Sequence, residues 1–457
     1  MMILTTERLV RFITILAVIV MLGSAPAAMA ADVKSGDAMS QLRDKAEAGS
    51  AEAQLQLSNI YFVGDGVPKD DSQAIKWLRK SADQGNAKAL YALSQAYGAG
   101  TGIAKDDLES NKWLRKAAEA GHPEAQLILG HDYSMGRGVA KDDAEAVKWW
   151  RKAAEKGNAD AEYNLGYMYS QGLGVAKDDA KAVQWWENAA RHGNTRSYYA
   201  LSQAYTLGSG VLRDDGAAFS WMVKAAETGD VNAQVNVGMV YNIGGVVPKN
   251  YVEAAKYLRM AADQGNAEAQ YNLGYILTLG DGMPRDDTQA VLWWRRAAEQ
   301  GHASAQSAAG VAFHNGTGIE KNDQEAMKLL QKSAAQGNAD GELHLGFAYY
   351  EGWGFLPDKR EAFKWFRAAA DQGNTTAQYM LGVIYTAGEP LVTGKDFVQA
   401  YMWFNLAGSQ GDLNAMRERD SVAKLMRGDQ LTHAQRLSND WKPLKREKPA
   451  AAPVAGR

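Results

Sequence analysis

Along most of this chain, small and apolar residues alternate with charged ones in two helical rhythms that follow one another. Around residue 165, Ala161, Leu165, Gly166 and Tyr169 fall at i, i+4, i+5 and i+8. The next stretch places Ala182, Trp185, Trp186, Ala189 and Ala190 at i, i+3, i+4, i+7 and i+8. Each spacing gathers apolar side chains on one face of a helix. The pattern predicts a pair of amphipathic helices, A and B, joined by the turn "QGLGVAKD".

The pair recurs. A glycine closes each helix B, at Gly49, Gly85, Gly121, Gly157, Gly193, Gly229, Gly265, Gly301, Gly337 and Gly373, and every step is 36 residues. Gly411 follows after 38, because "EPLVTGKD" carries two extra residues. This gives ten tandem units, with a half unit before them at Asp37–Gly49. A single pair cannot bury its own apolar face, so neighbours must stack. The expected fold class is all-α: a right-handed solenoid of ten 36-residue helix-turn-helix units over residues 49–411. Residues 31–48 form its N-terminal cap and residues 412–443 its closing cap, with Leu425, Met426, Leu431, Leu437 and Trp441 on the apolar side. The Pro/Ala-rich residues 444–457 are expected to be disordered. Small residues in the middle of helix A (Ser58, Gly130, Gly166, Gly274) should sit opposite the large aromatics of helix B (Trp77, Trp149, Trp185, Trp293), and Tyr169 should be buried.

The loop between the helices resembles a phosphate cradle at first, with two glycines, a lysine and a following helix. It repeats, however, as "GDG" at 64, "GTG" at 100, "GRG" at 136, "GLG" at 172 and in four later units, and it lacks the Lys-Ser/Thr ending. A tight turn needing positive φ twice explains it better. The "KDD" ladder (Lys69-Asp70-Asp71, Lys177-Asp178-Asp179) puts carboxylates where a helix N-terminus wants caps, without the spacing of a calcium loop. No metal and no cofactor is expected.

Composition adds a compartment. Arg8 and Arg11, the apolar run Phe12–Leu22 and the small-x-small site Ala28-Met29-Ala30 read as a Sec-type signal peptide over residues 1–30, cleaved after Ala30. The run is too short to span a bilayer, which takes about 20 residues. The protein is therefore expected in the periplasm or outside the cell. A formal charge of −3 favours neither nucleic acid nor an anionic membrane. With no cysteine, packing alone must stabilise it.

The pattern "AEYNLGYMYSQGLGVAKDDAKAVQWWENAARHG" resembles the Sel1-like repeat, a relative of the tetratricopeptide repeat, and the resemblance covers about residues 37–411. It implies an adaptor that binds other proteins and assembles complexes, often exported in bacteria and acting in the envelope or at the host. A cysteine-rich subgroup of that family is linked to penicillin binding and weak β-lactamase activity. This chain lacks that subgroup's paired cysteines.

The expected function is an exported scaffold for protein–protein interactions in the bacterial envelope, acting as a monomer. The alternative is a secreted factor that binds host proteins. A cell-wall or β-lactam-related enzyme comes third, because the seven histidines show neither HExxH spacing nor a Gly-x-Ser-x-Gly elbow. By analogy with tetratricopeptide grooves, the residue before the helix A leucine, Asn164, Asn236 or Asn272, holds a partner's backbone through its amide. Tyr167 and Tyr275, three positions on, would add aromatic contact. The same asparagines have a plainer reading, as ties between one helix and the next. Trp353, in the variable slot of "EGWGF", is the other candidate anchor if it is exposed, or folds over Leu356 or the neighbouring unit if it is not. "RGD" at Arg427–Asp429 is read as a helix cap through Asp429.

Overall fold

The computed structural model describes residues 36–389 and 392–444. The expected export signal, most of the C-terminal tail, and Pro390 and Leu391 of the insertion lie outside these residues. Among the described residues there are 23 helices, from Gly36–Glu47 to Gly428–Asp440, and no strand.

Local chemistry sets each helix. Helix A of the fourth repeat, Ala159–Gln171, opens on Asn158, whose side chain accepts from the Ala161 N–H at 2.9 Å. Helix B, Asp179–Arg191, opens on Asp178, which accepts from the Lys181 N–H at 3.0 Å. Free N–H groups at both starts are thereby satisfied. The second aspartate of the "KDD" ladder pairs back to its lysine, as in Lys177–Asp179 at 3.4 Å.

Between the helices, Gly172 (φ 70°) and Gly174 (φ 65°) are both left-handed. The Gly172 N–H and the Leu173 N–H both turn back to the Met168 carbonyl, the latter at 3.0 Å. Those amides are committed to ending helix A, so the loop holds no phosphate cradle. A Cβ on Gly174 would fall on the Asp143 carbonyl, at the start of helix B in the previous repeat. The first glycine therefore ends a helix, and the second allows one repeat to touch the next.

The interior differs from expectation by one position. A Cβ on Gly130 would lie 2.5 Å from the Trp150 indole nitrogen, and one on Gly346 would lie 2.6 Å from the Phe366 ring. The residue that fills the space opposite helix A is thus the one after the aromatic predicted: Trp150, not Trp149, and Trp186, not Trp185. Trp150 is 4% exposed, and its indole N–H donates to the Leu127 carbonyl at 3.1 Å, whereas Trp149 is only partly buried. Tyr169 is also half-buried, its hydroxyl accepting from Arg151 at 3.0 Å.

A buried amide ties the helices together. In the seventh repeat Gln270 donates to the Ala262 carbonyl at 3.1 Å, at the end of the preceding helix B. Its oxygen accepts from Gln300, at the end of its own helix B, at 2.8 Å. Gln54, Gln234 and Gln306 repeat both bonds. In the tenth repeat the same pair, Gln410 and Gln378, closes at 2.9 Å although the insertion sets them 32 residues apart instead of 30.

The chain divides into two compact units between Met222 and Val223. In each, helices pack on their neighbours in sequence around alanine-rich cores with leucine and aromatic partners. The closing helices Leu413–Ala423 and Gly428–Asp440 pack on Phe397–Ser409. Leu437 and Trp441 meet the Trp403 core, and Met426 and Leu431 meet Phe404 and Val422. Leu425 is 63% exposed, so it does not join the apolar side of the cap. Asp429 does not cap the last helix either; the Gln430 side chain accepts from the Arg427 N–H at 2.9 Å.

Candidate functional site

Helix A carries a second face. Positions equivalent to Asp160, Tyr163, Asn164 and Tyr167 share one side of the helix, away from the buried Ala161, Leu165 and Met168. In the first unit this open face gathers side chains from three repeats. Asn164 is 9% exposed, and its amide nitrogen lies 3.3 Å from Nε2 of His131 in the repeat before. His131 stands edge-on to Trp150, and burial, then Arg196 and Arg137, hold its pKa below the ordinary histidine value. Asp160 accepts from Asn194 and from Arg196, each at 2.7 Å. The Arg196 guanidinium lies 4.5 Å over the Tyr163 ring. Tyr167 remains 49% exposed beside them.

The second unit repeats the arrangement. Asn272 is buried, and its amide nitrogen donates to the Glu268 carbonyl at 2.8 Å and to the Glu268 carboxylate at 3.1 Å. His302 caps the next helix A through Nδ1, meets Glu268 through Nε2 at 3.0 Å and stacks on Tyr271. Tyr275 is 48% exposed. The amide nitrogens of Asn164 and Asn272 are thus both engaged within the protein. Asn236 stands apart as an exposed residue.

Trp353 is not an exposed anchor. It is 7% exposed, stacked on His314 of the repeat before at 3.5 Å between ring centroids, with its N–H donating to Glu351 at 2.9 Å. His314 is held in turn by Asp323 at 2.6 Å. The loop folds the tryptophan over its neighbour because that ring offers a flat apolar surface. Among the described residues, no group of three acidic or histidine side chains could hold a metal ion.

Sequence reasoning missed the Asp160–Arg196–Tyr163 cluster. A signal for it was present: Asp160 and Arg196 are 36 residues apart, at one register position of adjacent repeats. Opposite charges in that relation must meet if the repeats stack.

Ten consecutive segments, from 51–86 to 375–412, match the model of the Sel1 repeat. The chain belongs to the Sel1 repeat family. Its solved relatives include c5321, a protective antigen present in uropathogenic Escherichia coli strains. That protein is 33% identical, with 92% of this chain and 99% of that one covered and a TM-score of 0.67. A Sel1 repeat protein from Oxalobacter formigenes is 34% identical over 68% of this chain and 90% of its own, with a TM-score of 0.47. No curated protein matches the sequence. Sel1 repeat proteins generally mediate protein–protein interactions, and their solenoids are generally non-enzymatic.

Proposed function

We propose that this Sel1 repeat protein is an exported scaffold of the bacterial envelope that holds partner proteins by extended segments laid along the open face of its A helices. The observation that carries the reading is the recurring set on that face: an exposed tyrosine, Tyr167 or Tyr275, beside a buried asparagine, Asn164 or Asn272. An asparagine oxygen accepts from a backbone N–H whatever the partner's sequence, and the tyrosine adds apolar contact. Asn236 extends the row as an exposed amide. Trp353, stacked on His314, is left as a minor contributor at most. The chain acts without cofactor or catalysis and as a monomer, and residues 1–30 direct its export.

Affinity capture from envelope extracts, followed by binding measurements on the captured protein, tests this. Asn164→Ala, Asn236→Ala and Asn272→Ala should each weaken binding by about 0.5–1.5 kcal/mol, and Tyr167→Ala or Tyr275→Ala by as much or more. Lys181→Ala on helix B should change little. Unfolding is followed alongside; lower stability with unchanged affinity would make the asparagines structural ties and remove the site. N-terminal sequencing should find a mature chain beginning at Ala31.

A second reading has its own support. The similar Escherichia coli protein is a protective antigen, which favours a factor displayed to or released toward a host. Fractionation separates the two readings: periplasmic recovery supports the envelope scaffold, and recovery from the medium supports the host-directed factor.

A further inference from the structure

In the second unit one repeat departs from the glutamine tie. Gln234, Gln270, Gln306 and Gln378 each donate to the carbonyl eight residues back, at 3.1–3.3 Å. Each also accepts from a glutamine at the end of a helix B, at 2.8–2.9 Å. At the same register repeat 9 carries Glu342. It is 0% exposed, and Gln372 donates to its Oε2 at 2.7 Å, as Gln300 does to Gln270. The backbone keeps the register too: the Gly337 N–H reaches the Ala334 carbonyl at 2.8 Å, as the Gly301 N–H reaches Ala298 at 3.0 Å. The second oxygen of Glu342, Oε1, therefore stands where its counterparts carry an amide N–H, opposite the Ala334 carbonyl. In the first unit Glu162 has this register as well, but its partner is an imidazole, His192 at 2.8 Å.

The joint around Glu342 is tight. A Cβ on Gly341 would collide with the Ser333 hydroxyl and lie 3.0 Å from the Ala334 nitrogen, whereas Ala269, Ala305 and Ala377 carry a methyl there. Helix A of repeat 8 (Ala303–Asn315) also packs directly against helix A of repeat 9 (Ala339–Glu351). A carboxylate oxygen against a carbonyl oxygen is repulsive, and burial removes the water that would screen it; a carboxyl that keeps its proton donates to the carbonyl instead. Ala334 and Gln372 sit at the C-terminal ends of helices Asp323–Ala335 and Lys359–Asp371. Both negative poles favour the neutral acid, and only the N-terminus of its own helix favours the carboxylate. The charged groups of the packed elements have other surroundings. Lys332 is exposed, Arg367 pairs with Asp371 at 2.9 Å, and Asp340 accepts from Asn374 at 3.1 Å. His344 meets Ser307 at 3.1 Å, and His314 meets Asp323 at 2.6 Å.

We infer that Glu342 keeps its proton in the folded protein at neutral pH and donates it from Oε1 to the Ala334 carbonyl, so that the joint between repeats 8 and 9 opens as pH rises. An opened joint releases the proton at the ordinary glutamate value, about 4.3, while the closed joint holds it. Closure therefore weakens by about tenfold per pH unit above that value, until the closed joint ionises too. The amides at the other glutamine joints do not titrate, so the response belongs to this joint. The Ser307–His344 contact crosses the same joint on the open face, so its loosening reaches that face.

Carbon-13 carboxyl NMR of the full chain tests the proton, with Glu342 assigned by the signal lost in Glu342→Gln. Its Cδ should keep the shift of a protonated carboxyl at about pH 7, where an ordinary glutamate has ionised. A Cδ that titrates in the ordinary glutamate range overturns the inference. Hydrogen exchange tests the joint, because Glu342→Gln supplies the N–H at every pH. Over residues 333–345, the protection of the unaltered chain relative to the variant should fall at least about tenfold between about pH 5 and pH 7. A ratio that stays constant with pH, or one that falls equally in repeats 6 and 7, also overturns it.

Discussion

Single glycines and histidines show how little room a repeat leaves. Gly130 faces Trp150 so closely that a methyl group would meet the indole. In the first repeat the same position is Ser58, whose hydroxyl donates to the Ala74 carbonyl at 2.8 Å, and the aligned helix B residue is Leu78. Gly130→Ala should therefore displace Trp150, break its bond to Leu127 and cost about 1–3 kcal/mol in urea unfolding. Adding Trp150→Leu should recover part of that loss, as coupled neighbours do. Additive losses would refute the pairing.

His122 makes a residue-scale prediction with a pH axis. It caps helix Pro123–Met135 by accepting from the Ala125 N–H through Nδ1 at 3.4 Å, and it stacks on Tyr91. Burial first, then Lys88 and Lys156, push its pKa from 6.5 down to about 4. Unfolded chains bind a proton here before folded ones do, so the stabilisation is complete above pH 6.5. It is lost as pH falls toward about 4. Other repeats use asparagine at this position, as at Asn158. His122→Asn should keep the cap and lose this slope, so the melting temperatures of the two proteins should diverge below about pH 6. Parallel curves would show that His122 does not titrate as described.

At the scale of elements, the glycine period made the helix pairs, their order and their caps legible, because capping and turn chemistry is local. Which of two adjacent tryptophans points inward was not legible. One residue turns a helix by about 100°, and only the facing helix decides. Trp353 was equally hidden, since its partner His314 belongs to another repeat. Asn164 and Asn272 were recognised as a row, but their burial and the engagement of their nitrogens come from His131 and Glu268. The tie between elements is the glutamine pair. Gln270→Ala should remove two bonds, to the Ala262 carbonyl (which keeps the Gly265 N–H at 3.0 Å) and from the Gln300 amide, and cost about 1–3 kcal/mol. Hydrogen exchange should show the loss mainly in residues 267–302; uniform loss across the unit would mean that the tie is not local.

For the whole molecule, the ends matter most. A stack of repeats needs a final element with a polar outer face. The closing helices cover Tyr401, Phe404 and Ala407, which are 8%, 1% and 0% exposed. Removing residues from Leu413 onward should expose that surface, and light scattering should then show more self-association than in the full chain. A truncated chain that stays helical and associates no more than the full chain would show that the cap is dispensable.

The glutamine pair that survives a two-residue insertion has a consequence for how such a chain is inherited. Where a copy carries the glutamine, it reaches back to a carbonyl of the copy before it and takes its side-chain partner from its own copy. Unequal exchange between neighbouring copies in the gene would then yield longer or shorter descendants in which such a copy still closes on whichever one precedes it. The number of modules is free to drift, whereas the terminal piece exists once and has to travel with the end.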